Sequence, residues 1–174
     1  GYYKNNRYEA ASGLIKDGSY GDWVAPKGGE NNTIANTPHK QPEDGRLLNT
    51  AYVYRYALMM EEVASLLGKT DDAASYRTFA NGLLTAFNEH FLNTDKGIYE
   101  TGKGEGYRQT SNAVPLMFGM VPAEYEKAVA KNLAEHIKEN DYDINCGFAG
   151  VKELFPALSK YGYTDVAFNL AIQT

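Results

Sequence analysis

The sequence predicts an all-α protein made of antiparallel helical pairs, about half of a two-layered (α/α)6 toroid. Three observations carry that expectation. Three pairs of helical patterns follow one another along the 174 residues. In each pair, a pattern apolar on all sides precedes one apolar on a single face, as an inner ring covered on both sides and an outer ring covered on one require. Turns within a pair are short, near Gly68, Gly119 and Gly162, whereas connections between pairs are long, over 17–46, 93–108 and 140–147.

Taken in order, residues 1–16 read as the Tyr-rich tail of a helix (Tyr2, Tyr3, Tyr8) leading into Ser12-Gly13-Leu14-Ile15. The 17–46 connection carries Gly18, Gly21, Pro26, Gly28, Gly29, Pro38, Pro42 and Gly45, which forbid a helix there. The first helix is expected over about 47–67. Its segment Tyr52-Val53-Tyr54-Arg55-Tyr56-Ala57-Leu58-Met59-Met60 predicts burial by neighbours all round. Gly68 ends it, and Thr70-Asp71-Asp72 offers a cap and an acidic first turn to a second helix over about 71–92. That helix has one apolar stripe, Ala73, Tyr76, Ala80, Leu83, Leu84, Phe87 and Phe91. The second pair is an all-round apolar helix from Thr110 to Met120, in which Pro115 is tolerable only in the first turn, then a one-sided helix from Val121-Pro122 to Glu139. The third pair runs from Phe148 to Ser159 and from a Thr164 cap onward through Val166, Ala167 and Leu170.

Composition narrows the partners. Hydrophobic residues make up 43% of the chain, which excludes wholesale disorder. Fourteen Tyr against 7 Phe and 1 Trp suit polar, ring-shaped ligands such as sugars, and equally a hydrated helix interface. A formal net charge of −5 without a basic run argues against nucleic acid and anionic membrane as partners. The single Cys146 excludes an internal disulfide and a Cys-based zinc site, and His39, His90 and His136 lack metal-ligand spacing; no metal or cofactor is expected. Gly1 is not a methionine and Thr174 falls inside a helical pattern, so 1–174 is expected to be a single partial domain of a longer chain, in a compartment the sequence leaves open.

The three long connections should emerge at one end, around the N-termini of the inner helices, where loops on a rigid scaffold hold binding residues and free N–H groups face a ligand. The expected substrate-binding residues there are Trp23, Asp22, Gln109, Thr110, Asn112 and Phe148, the last in the Cys146-Gly147-Phe148 corner. An indole face excludes water from the C–H face of a sugar ring, and a carboxylate accepts from its hydroxyls. Each has a structural rival: Trp23 as a helix-end plug, Gln109-Thr110 as an ordinary helix start, Cys146 as a small buried hydrophobe. The Gly102–Gly106 loop has neither the preceding strand nor the Lys-Ser/Thr of a phosphate loop. Glycoside hydrolysis needs two carboxylates, and the many loop Asp and Glu residues single out no pair.

The chain resembles the catalytic barrel of bacterial α-L-rhamnosidases from about residue 12 to 174. The resemblance is carried by Tyr20-Gly21-Asp22-Trp23, Leu48-Asn49-Thr50-Ala51-Tyr52, Leu66-Leu67-Gly68-Lys69 and Phe87-Asn88. It continues through Gln109-Thr110, Asn112-Ala113, Gly119-Met120-Val121-Pro122, Gly147-Phe148, Pro156-Ala157-Leu158 and Gly162-Tyr163-Thr164-Asp165. It implies an inverting enzyme in which one Glu is general acid and another activates water, roughly 6.5–9.5 Å away. In the family these lie in an Asp-Glu-Arg type segment upstream and a Trp-Glu segment downstream, neither of which occurs here, so no residue inherits a catalytic role. Trp23 would wall the rhamnose ring and its methyl, supported by Asp22 and the Gln109-Thr110 corner. The implied partners are a rhamnoside substrate and the remainder of the barrel; the piece alone is expected to be inactive and to self-associate. The alternatives are another α/α-toroid glycosidase, specific for glucosides or uronides, and a non-catalytic helical-pair binding scaffold.

Overall fold

The structure is a computed structural model and describes residues 3–16, 21–26, 44–101 and 106–173. His39 and most of the 17–46 connection lie outside the described residues. The start of the chain is not the tail of an α-helix. A π-turn over Tyr3–Arg7 leads into a short antiparallel hairpin of β1 (Tyr8–Glu9) and β2 (Leu14–Ile15). Gly13 turns that hairpin at φ +71, where an added Cβ would sit 2.7 Å from the Ala86 methyl. The amide of Ile15 donates to Thr50 Oγ1 at 3.0 Å and ties the hairpin to the first helix.

Helix α1 (Gly45–Leu66) starts at Asp44, whose carboxylate accepts from the Arg46 amide at 3.0 Å and is gripped by its guanidinium at 2.7 Å. Gly68 ends the turn at φ +70, in the left-handed region where a Cβ is costly. Helix α2 (Thr70–Phe91) follows. Thr70 does not cap it: Lys69 holds the cap position without a side-chain bond, leaving Asp71 and Asp72 to answer the helix dipole. The 93–108 connection contains a second hairpin, β3 (Leu92–Asn93) with β4 (Ile98–Tyr99).

Helix α3 (Gln109–Phe118) is the centre of the molecule, and every residue from Gln109 to Leu116 is buried. It packs against α1, against α4 (Ala123–Glu139) and most extensively against α5 (Phe148–Lys160). Helix α6 (Thr164–Ala171) closes the chain against α4 and α5. Pro115 is not in the first turn of α3 but well inside it, and Pro156 is likewise inside α5. Three helical hairpins result, α1–α2, α3–α4 and α5–α6, with α3 as the inner member covered on all sides.

Helix α1 departs from the expected all-round burial. Leu47, Leu48, Ala51, Val53, Tyr54 and Ala57 face the core, but Tyr56 and Met59 are each 49% exposed and Val63 47%. Leu66 and Leu67 are more exposed still. The pattern is apolar all round because the helix is suited to being covered on both sides; the described residues cover only one. No helix among them is long and apolar enough to cross a membrane.

Candidate functional site

The short segment 21–26 is sewn to the start of α5. Asp22 is fully buried, and its carboxylate takes hydrogen bonds from the Gly147 amide (2.6 Å), the Gly150 amide (2.9 Å) and the Thr110 hydroxyl. Gly147 is the N-cap of α5 and Gly150 sits in its first turn, so one carboxylate meets two otherwise orphaned helix donors and the positive end of the dipole. The approach is possible only because both are glycines. A Cβ on Gly147 would come within 2.5 Å of the Asp22 carbonyl oxygen, and one on Gly150 within 2.6 Å of the Cys146 Cβ. The Phe148 amide adds a bond to the Trp23 carbonyl at 3.0 Å. Val24 pays for this path with φ +66, a strained angle for a β-branched residue.

These bonds fix the position of Trp23. Its indole meets the Phe148 ring edge-on, centroids 5.8 Å apart and planes at 85°. The two rings stay open to solvent, Trp23 at 39% and Phe148 at 64%. Trp23 is therefore not a core plug.

The other two connections lock together beside this pair. Gln109 donates to the Asp143 carbonyl at 2.7 Å and accepts from the Asn145 amide at 3.1 Å. The Asn145 side chain accepts from the Gln109 backbone amide at 2.9 Å and donates to the Tyr107 carbonyl at 3.0 Å, while Arg108 donates to the Asn145 carbonyl. Cys146 donates its thiol to Gln109 from a buried position, as a small hydrophobe would. Asn112 accepts from the Tyr99 amide at 2.8 Å and donates to the carbonyls of Tyr99 and Arg108, which fastens the β3–β4 hairpin to α3. Segment 21–26, the end of the 93–108 connection and the 140–147 connection thus meet at one end of the molecule.

The expected binding residues divide into two groups. Trp23 and Phe148 present surface. Asp22, Gln109, Thr110 and Asn112 are each at 0% exposure with partners inside the protein, so as placed they position the rim instead of reaching a ligand. Residue types alone could not separate the two groups, because a polar side chain in a loop reads the same whether it faces outward or caps a neighbouring helix.

A cavity of about 210 Å³ is lined by Gly21, Leu48, Asn49, Tyr52, Val53, Tyr56 and Ala149, and so includes near neighbours in sequence of Trp23 and Phe148 but neither ring. Tyr52 and Tyr56, one helical turn apart, supply its phenols. Burial pushes the Tyr52 phenol up to about 12, with the charges of Glu153, Tyr56 and Asp22 adding to the effect. Tyr52 is therefore a neutral hydrogen-bond donor at ordinary pH. Glu153, on α5, is a buried carboxylate whose side chain lies 3.8 Å from the Lys152 ammonium. Sequence reasoning missed Tyr52, Tyr56, Asn145 and Glu153. The i, i+4 tyrosine pair was the available signal, hidden within a helix expected to be covered on every side. Among the described residues, no group of three His, Cys, Asp or Glu is placed to hold a metal ion.

The profile of the bacterial α-L-rhamnosidase six-hairpin glycosidase domain matches residues 2–174. An α-L-rhamnosidase of Streptomyces avermitilis is 32% identical over 165 residues, covering 94% of this chain and 14% of that protein. One from Formosa agariphila is 27% identical over 152 residues, 87% of this chain and 15% of that protein. Among solved structures, α-L-rhamnosidase from Dictyoglumus thermophilum superposes with a TM-score of 0.80 at 31% identity, over 94% of this chain and 17% of that one. The Streptomyces avermitilis α-L-rhamnosidase complexed with L-rhamnose superposes with a TM-score of 0.76 at 26% identity, over 99% of this chain and 14% of that one. The chain thus spans roughly one-seventh of the length of its relatives, and its described residues hold three hairpins where the domain is named for six. With residues 2–174 matched by the profile and its helical pairs superposing on these structures, the chain belongs to the bacterial α-L-rhamnosidase six-hairpin glycosidase domain family.

Proposed function

We propose that this chain is part of an inverting glycoside hydrolase that releases terminal α-L-rhamnose from glycosides or polysaccharides, and that it supplies the aromatic wall of the sugar site. The observation that carries the proposal is the exposed Trp23–Phe148 pair, close in sequence to Gly21 and Ala149 of a cavity of about 210 Å³, in a chain whose relatives are named α-L-rhamnosidases. The indole and phenyl faces pack against the C–H face and methyl group of a 6-deoxy sugar. Tyr52 and Tyr56 offer hydroxyls to its polar edge. Asp22, Gln109, Thr110 and Asn112 act as positioning residues behind that wall.

The general acid and general base are assigned to segments outside these 174 residues, so the chain by itself binds and does not turn over. The exposed strip of α1 is assigned to the hairpins that would complete the domain; in their absence it drives self-association.

Trp23 is the only tryptophan, so its fluorescence reports the site directly. Titration with L-rhamnose should change the emission saturably, and Trp23→Ala should abolish the response. Incubation with an aryl α-L-rhamnoside should give no product. Turnover by purified chain that survives Trp23→Ala would refute the assignment of catalysis elsewhere. A stronger response to glucose or to a uronic acid than to rhamnose would favour a toroid glycosidase of another specificity.

A further inference from the structure

A second cavity, of about 230 Å³, lies where α4 meets the β3–β4 hairpin and is lined by Lys96, Ile98, Tyr107, Asn132, Glu135, His136 and Glu139. It shares no lining residue with the cavity lined by Tyr52 and Tyr56. Its walls are pre-formed. Asn132 donates to the carbonyls of Lys96 and Gly97, both at 2.9 Å, and an added Cβ on Gly97 would stand 2.9 Å from the Ala128 methyl. The hairpin is thus pressed onto α4.

Inside, the Tyr107 ring stacks on the His136 imidazole, centroids 4.3 Å apart and planes at 23°. The Tyr107 hydroxyl and His136 Nδ1 are both buried, and neither has a hydrogen-bond partner among the described residues. Buried polar atoms are normally paired, so two orphans on residues that line one cavity mark a place for a bound group. We propose that this cavity binds one unit of a neutral saccharide chain, as an accessory site separate from the Trp23–Phe148 wall. The ligand class rests on the glycosidase reading above; the site itself does not.

The chemistry favours a polyol. A sugar hydroxyl both donates and accepts, so it can satisfy the phenol and the imidazole in either tautomer. Burial lowers the His136 imidazole and raises the Tyr107 phenol, so both are neutral near pH 7 and neither calls for an ionic partner. Glu135 and Glu139 at the edge accept from vicinal hydroxyls and repel phosphate and uronate groups. The cations around the cavity are engaged: Lys96 with Glu100 at 3.1 Å, Lys131 with Glu135 at 3.4 Å, and Arg108, whose charge also lowers His136, with the Asn145 carbonyl. The cavity is below the range for drug-sized ligands, which suits a single ring.

The test uses NMR of the histidine side chains in Trp23→Ala chain titrated with a neutral rhamno-oligosaccharide. His136 is one of three histidines, so its ring signals can be assigned with His136→Gln. They should shift saturably, and Tyr107→Phe, which removes only the hydroxyl, should weaken binding about tenfold. Unmoved His136 signals, equal affinity in Tyr107→Phe, or a preference for an oligo-uronide would each overturn the proposal. Trp23 emission in the unsubstituted chain reads the other site independently. A Trp23 response with silent His136 signals removes the accessory site alone; the reverse removes the aromatic wall alone.

Discussion

Asp22 shows how much one side chain can organise. It is a carboxylate at 0% exposure with three donors from two helices, and the net weight of such bonds comes from what is stranded when they go. Asp22→Ala leaves two amides and a hydroxyl unpaired in the interior, each costing about 1–3 kcal/mol. A loss of about 3 kcal/mol or more is expected in urea unfolding, together with a red-shifted Trp23 emission as segment 21–26 detaches. Gly150→Ala tests the other side of the contact. Its new methyl meets the Thr110 side chain and the Cys146 Cβ, so a loss of about 1–3 kcal/mol is expected. An unchanged midpoint for Gly150→Ala would show that α3 and α5 are less tightly apposed than described.

At the level of elements, α1 and α3 are both apolar all round and have different fates. Helix α3 is sequestered by α1, α4 and α5, so even its Gln109, Thr110, Ser111 and Asn112 are buried. Helix α1 keeps Tyr56, Met59, Met60, Val63 and Leu66 exposed along one side. Substitution on that side, such as Val63→Lys, should change the stability of this chain by no more than about 0.5 kcal/mol. It should lower self-association measured by sedimentation velocity. Ala51→Lys, on the buried side of the same helix, should prevent folding. If Val63→Lys destabilised the fold as much as Ala51→Lys, the exposed strip would have to be part of the chain's own core.

The whole molecule holds several phenols in low-polarity surroundings. Tyr52 is raised from 10.0 to about 12, and burial raises Tyr99 and Tyr107 as well. The folded state binds these protons more tightly than the unfolded chain does. Their contribution to stability is complete below pH 10 and is lost as the pH rises through 10 toward the folded values. The melting temperature should fall over roughly pH 10 to 11.5, and Tyr52→Phe should flatten that fall. A melting temperature independent of pH across this window would mean that the phenols are solvated. The described residues hold three helical hairpins, in a chain that covers 14% of the length of its Streptomyces avermitilis relative.

Periodicity made the six helices legible, because apolar stripes at helical spacing and glycines at positive φ are local properties of the chain. Gly68, Gly119 and Gly162 end their helices where the sequence places them. Trp23 and Phe148 were also legible as surface, since an aromatic in a loop or at the first residue of a helix has few neighbours to pack into. What sequence could not settle was direction and cover. Asp22, Gln109, Thr110 and Asn112 look like ligand contacts until a helix end, a loop or a hairpin arrives to use their oxygens and nitrogens. Proline inside α3, the two small hairpins and the half-bare α1 depend on what packs beside them, and packing partners lie far apart in the chain. The sequence by itself determined which stretches are helical and in what order they pair. Tertiary structure alone decided which polar groups are spent inside the protein and which apolar ones are left for something else, because burial is a property of neighbours and not of residues.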